Sequence, residues 1–84
     1  MSITARHFAR LARRSAVAAT KDFKRDTGHA LTAERLDAMT MVEISDRCRD
    51  SVWDILDEEG LDFDEHGMDL TDWTENVLMK MVSG

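Results

Sequence analysis

The stretch TMVEISDRCRDSVWDILDEEG, from Thr40 to Gly60, decides the fold. Thr40 followed by Glu43 has the T-x-x-E spacing of a capping box, in which the threonine hydroxyl accepts from one orphan amide and the glutamate reaches back to another. Met39 and Ile44 stand at the flanking positions of a hydrophobic staple. Beyond the cap, Met41, Ile44, Cys48, Val52, Ile55 and Leu56 recur at steps of three and four, which places them on one face of a helix. Gly60 follows the last of them, where a left-handed cap is easiest for a residue without Cβ. Both ends and the apolar stripe agree on a helix over 41–59, of roughly five turns.

Upstream, Thr32 is positioned to cap a short helix over 33–39, with Glu34 near the positive end of its dipole. Leu36 and Met39 are out of phase with the stripe of the longer helix. That phase jump predicts a break at Met39-Thr40 rather than one helix over 33–59. Further upstream, Thr4 and the pair Thr27-Gly28 bracket a helix over 4–26. Phe8, Leu11, Ala12, Ala16, Ala18, Ala19 and Phe23 fall on one side of it, and Arg6, Arg10, Arg13, Arg14, Lys21, Lys24 and Arg25 on the other. Its apolar side is mostly alanine, which lets a neighbouring helix approach closely.

Downstream of Gly60, the run Leu61-Asp62-Phe63-Asp64-Glu65-His66-Gly67-Met68-Asp69-Leu70 reads as an acidic loop over 60–70 whose Leu61 and Phe63 dip into the core. Thr71 or Asp69 is then the expected cap of a last helix over 71–82, with Trp73, Val77, Leu78 and Met81 on one stripe. Met79 and Val82 lie off that stripe, so this helix is apolar over more than half its circumference and must be well buried or docked on another chain. The expected fold is all-α: a small compact bundle of about four helices in a single domain, residues 1–84. Val, Ile and Thr form no alternating runs, and the chain contains no proline and only four glycines, which leaves few breaks between helices and argues against a sheet.

Composition narrows the function. Only one cysteine, Cys48, is present, so no internal disulfide can form; on the apolar stripe it is expected to act as a small buried hydrophobe in a reducing cytoplasm. No apolar run approaches the ~20 residues that span a bilayer, so no membrane association is expected. The first 21 residues hold five Lys or Arg and no acid, a composition similar to that of a mitochondrial transit peptide, and Arg13-Arg14 resembles a twin-arginine signal. The apolar run after that pair, Ala16-Val17-Ala18-Ala19, is too short for an export core, which favours a core-packing helix.

Motifs for chemistry are weak. Asp62-x-Asp64-x-His66-Gly67 resembles the start of a calcium-binding EF-hand loop, which needs closely spaced carboxylates and a glycine at its sharp turn. Asp69 stands where an apolar residue belongs, however, and Trp73 where the bidentate Glu is required. His7, His29, Cys48 and His66 lack the spacing of a zinc site. Asp50-Ser51-Val52 resembles the D-S-L motif at which acyl carrier proteins, themselves small, acidic and four-helical, carry their prosthetic group; that serine begins a helix, whereas Ser51 falls inside one. No catalytic residue, metal or cofactor is expected.

The charge distribution stands out. Residues 1–36 carry eight Lys or Arg against three acids, a net of +5, and residues 37–84 carry three against fourteen, a net of −11. Between Asp50 and Glu75 there are eleven carboxylates and no Lys or Arg. Such crowding reduces stability through repulsion, and a chain optimised only for folding would intersperse lysines. Either the basic face of the first helix neutralises the acidic half, within the monomer or across a homodimer, or that half stays open for use.

Open carboxylates on rigid helices present a field like a phosphate backbone and attract nucleic-acid-binding proteins. The expected function is therefore a small acidic, non-enzymatic protein-binding module. Asp54, Asp57, Glu58, Asp62, Asp64, Glu65 and Asp69 would meet the basic surface of a nucleic-acid-binding protein. In size, acidity and lack of catalytic motifs the chain resembles phage-borne inhibitors of host defence such as anti-CRISPR proteins, and that resemblance implies occupation of a host protein's nucleic-acid-binding surface. The alternative is a nucleic-acid-binding or antitoxin-type regulator acting through Arg6, Arg10, Arg13, Arg14, Lys21 and Lys24. The absence of interleaved aromatics and the net charge of −6 weigh against direct nucleic-acid binding.

Overall fold

Each helix begins where the sequence offers an oxygen to an unpaired amide. In a computed structural model that describes residues 3–83, the hydroxyls of Thr4, Thr32 and Thr40 accept from the amides of His7, Arg35 and Glu43 at 3.1, 3.2 and 3.1 Å. They open α1 (Ala5–Thr27), α2 (Ala33–Ala38) and α3 (Met41–Glu59). In the capping box of α3 the reciprocal contact differs from expectation. The Glu43 carboxylate accepts from the Thr40 hydroxyl at 3.2 Å rather than from its amide. Met39 is extended, with φ −83° and ψ 147°, so the break between α2 and α3 lies where the phase jump placed it.

Gly28 and Gly60 end α1 and α3 with positive φ, at 78° and 69°. At Gly60 the amides of Gly60 and Leu61 donate to the carbonyls of Asp57 and Leu56, at 3.1 and 2.9 Å. This pair of bonds is a Schellman motif, and Leu61 packs on the cluster containing Leu56. The motif turns the chain directly into α4 (Phe63–Ser83).

The expected acidic loop over 60–70 is therefore corrected: only residues 60–62 connect α3 to α4, and neither Asp69 nor Thr71 is a cap. Asp62 begins the helix, its side chain accepting from the Asp64 amide at 3.2 Å and its carbonyl from that of His66 at 3.1 Å. Asp64 and Glu65 occupy the first turn, where the dipole favours negative charge. Gly67 is a helix-interior residue, not a turn residue. A Cβ there would meet the Phe63 ring at 2.7 Å, so glycine is what lets that ring lie back along the helix. The segment that resembled a calcium loop is thus the opening of a helix, without the turn such a loop needs.

The ion pairs Arg14–Glu58 and Arg47–Asp26 set α1 antiparallel to α3. The contacts Trp53–Phe63 and Ser45–Glu75 set α3 antiparallel to α4. The three long helices pack on one another, and short α2 leans on α4. One buried cluster joins Leu11, Ala12, Val52, Ile55, Leu56 and Leu70 near the α3–α4 turn. A second joins Ala16, Leu36, Ile44, Cys48 and Leu78 at the opposite end. Fully burying one leucine stabilises by about 1.5–3 kcal/mol, against at most about 1 kcal/mol for an exposed ion pair, so apolar packing holds the bundle.

The wide apolar surface of α4 is explained by α2: Met79, Met81 and Val82 pack on the cluster that Leu36 joins. Two residues assigned to apolar stripes are largely exposed. Met41 lies in the first turn of α3, at the rim of a depression that it lines with Leu36, Met79 and Ser83. Trp73 covers only the edge of the α1–α4 seam, where it meets Phe8 edge-on at 5.2 Å.

Candidate protein-binding surface

The carboxylates chosen from the sequence gather around the α3–α4 turn, but not on one flat face. Glu58 points toward α1, where Arg14 holds it at 3.0 Å and Glu59 at 2.8 Å. Asp54 lines a small recess of about 200 Å³ with Asp22, Arg25, Asp26, Arg47 and Asp50, also on the α1 side. Asp57, one residue from Glu58 and about 100° around the helix, faces away from α1. Asp62, Asp64 and Glu65 open α4, and Asp69 lines a depression with Phe8 and Trp73. The group forms a collar around one end of the bundle.

Self-neutralisation of that collar is slight. Among the described residues Asp54, Asp57, Asp62, Asp64 and Asp69 have no Lys, Arg or His nitrogen within salt-bridge distance; Glu65 has only His66, at 3.8 Å. Among the described residues Arg14 is the one cation of α1 that reaches the acidic half through a short ion pair, alongside a 3.8 Å approach of His7 to Glu59. Of the six basic residues of the alternative site, Arg6, Arg10, Arg13, Lys21 and Lys24 are exposed and pair with no acid among the described residues. Arg10, Arg13, Arg14 and Lys21 border a shallow apolar strip of Val17, Ala18 and Ile55.

One element of the surface is built on exposed apolar side chains and is not evident from composition. Trp53 is 56 % exposed and lies against Phe63, ring centroids 4.6 Å apart and planes at 44°. Met68 is 82 % exposed and Val42 69 %. Val42, Ser45, Arg49 and Trp53 recur at steps of three and four along α3, and Phe63, Met68, Thr71, Asp72 and Glu75 lie along the adjoining side of α4. Between them runs an open groove of about 340 Å³. The signal for it in the sequence was the position of Trp53, about 140° from the centre of the buried stripe of α3 at about 100° per residue.

Groups suited to covalent chemistry are sequestered. Cys48 is fully buried, and burial, with a smaller contribution from the negative charge of Glu75, pushes its thiol up to about 12. It is therefore a protonated core residue at neutral pH. Ser51 is buried with no hydrogen-bond partner for its hydroxyl; it lies inside α3 rather than at a helix start, unlike the serine of the carrier-protein motif. Among the described residues no three His, Cys, Asp or Glu side chains come together as a metal site, and no helix is long and apolar enough to cross a membrane.

No protein-family model, curated protein or solved structure matches the chain.

Proposed function

We propose that the protein is a non-enzymatic binding module whose acidic collar occupies the basic, nucleic-acid-binding surface of another protein, in the manner of phage-borne inhibitors of the anti-CRISPR type. The observation that carries this reading is the openness of the collar: Asp54, Asp57, Asp62, Asp64 and Asp69 are exposed and lack a cationic partner among the described residues. Unpaired carboxylates set on the ends of two rigid helices lower stability by mutual repulsion. Asp62 and Asp64 also serve the start of α4, but the side chains of Asp54, Asp57 and Asp69 make no hydrogen bond or ion pair among the described residues that folding would need. Their worth lies in steering and holding a positively charged partner, with association that weakens as salt rises.

The test is competition. Immobilised protein should retain nucleic-acid-binding proteins from a bacterial lysate at low salt, and duplex DNA or RNA added in excess should release them. Asp54→Lys, Asp57→Lys and Asp69→Lys combined, which spare the cap and first turn of α4, should reduce retention at least tenfold while the helical circular-dichroism signal persists. Retention that ignores both competitor and charge reversal would defeat the proposal.

A second reading rests on the cations of α1. Arg6, Arg10, Arg13, Lys21 and Lys24 point outward and unpaired, which suits phosphate contacts. With Arg14 they would make α1 the nucleic-acid-binding element of an antitoxin-type regulator. Retardation of DNA by the protein alone in a low-salt gel shift would favour this reading over the first.

A further inference from the structure

We infer that the groove between α3 and α4 receives an amphipathic, lysine- or arginine-rich helix of the partner protein. This rests on the binding-module reading above and names the structural form of what is bound. The groove is lined by Ser45, Arg49, Phe63, Met68, Thr71 and Glu75, with exposed Trp53 tilted against Phe63 at one end and exposed Val42 toward the other end of the same row of α3. A tryptophan more than half exposed and a methionine exposed over four-fifths of its surface are costly to leave in water. Tryptophan is also the residue type most enriched among binding hot spots, and methionine adapts readily to an incoming apolar surface.

Geometry selects a helix. Among the described residues there is no strand, so a partner cannot add to a sheet edge; two adjacent antiparallel helices instead present ridges and grooves that a third helix fills. From Val42 to Trp53 the exposed row of α3 runs about 16 Å at ~1.5 Å per residue, the length of a three-turn helix.

Charge selects the sign of the occupant and argues against a second copy of this chain. Among the described residues the groove is lined by two carboxylates, Asp72 and Glu75, against one cation, Arg49, which pairs with Asp46 at 2.9 Å. In a symmetric dimer across this groove the same carboxylates would face one another, because a twofold contact pairs a patch with itself. A helix with apolar residues at steps of three and four and Lys or Arg beside them meets both features at once.

Three synthetic 16-residue peptides serve as probes: a Leu/Lys amphipathic helix, a Lys/Ser peptide of equal charge without the apolar stripe, and a Leu/Glu amphipathic helix. Binding is followed by backbone-amide NMR and by Trp53 emission in a Trp73→Phe background. The inference expects the Leu/Lys helix to bind at least tenfold more tightly than Lys/Ser, to shift amides along 42–53 and 63–75, and to move Trp53 emission to the blue. Met68→Ser, on an exposed side chain, should reduce its affinity at least fivefold with no change in the unliganded circular-dichroism spectrum.

Equal binding of the two cationic peptides, indifferent to Met68→Ser, would overturn the groove inference and leave the acidic module standing on charge alone. Failure of every cationic peptide to bind at low salt would overturn both. Tighter binding of Leu/Glu, or a concentration-dependent dimer in light scattering that Met68→Ser abolishes, would also overturn it, the latter by making a second copy the occupant.

Discussion

The two faces of the α3–α4 hairpin follow different rules. Its inward face buries Cys48, Val52, Leu56, Leu70, Thr74 and Leu78, and its polar members are mostly satisfied: the Thr74 hydroxyl donates to the Leu70 carbonyl at 2.7 Å. Its outward face leaves Trp53 and Met68 in water beside Asp72 and Glu75, with Arg49 already committed to Asp46 at 2.9 Å. The inward face is what a helical bundle needs in order to fold. The outward face costs stability, which is reasonable only where something else is gained from it, and binding is what such surfaces provide.

Leu70 and Met68, two residues apart on α4, break the comparison most sharply. Leu70→Ala should cost about 2–5 kcal/mol, as removal of a fully buried leucine leaves a cavity that the bundle only partly closes. Met68→Ala should change stability by less than about 0.5 kcal/mol. Urea denaturation followed by circular dichroism checks both; similar losses would mean that the outward face is core.

The next effect is alkaline. The Cys48 thiol is raised by burial from 9.0 to about 12. Between those values the unfolded chain releases a proton that the folded chain keeps, so stability falls as pH rises. The slope from this group approaches about 1.4 kcal/mol per pH unit, and below pH 9 its contribution is constant. Cys48→Ala should remove that component, seen as a shallower pH 9–12 stability profile than that of the parent chain. Equal slopes would show that the thiol is not sequestered.

The smallest expected change acts on the outward face alone. Gly67→Ala gains about 1 kcal/mol of helix propensity but drives a Cβ against the Phe63 ring. The ring must leave its place beside Trp53. The two effects should nearly cancel in stability while Trp53 emission shifts, measured in the Trp73→Phe background. An unmoved emission spectrum would show that Gly67 does not set the position of Phe63.

Much of this architecture was legible in local chemistry. Three threonines each three residues before a pairing amide, and two glycines after apolar stripes, mark helix ends through hydrogen bonds spanning only a few residues. The start of α4 was misread because Gly67 and a run of carboxylates have the composition of a loop. The helical register was nevertheless there, in Phe63, Gly67, Leu70, Thr74 and Leu78 at steps of three and four, with Asp62 as cap.

The sequence by itself determined the all-helical class, the ends of α1, α2 and α3, most of the inward stripes and the division of charge, because each depends on neighbours within one or two turns. Only the tertiary structure decided that Arg14 joins the basic helix to Glu58 and Glu59 at the acidic end, and that Trp53, Phe63 and Met68 border one groove. Whether two charges meet, or two helices expose or cover a side chain, depends on how the helices cross. That is set by packing between residues far apart in the chain, such as Leu11 with Leu70 and Leu36 with Leu78.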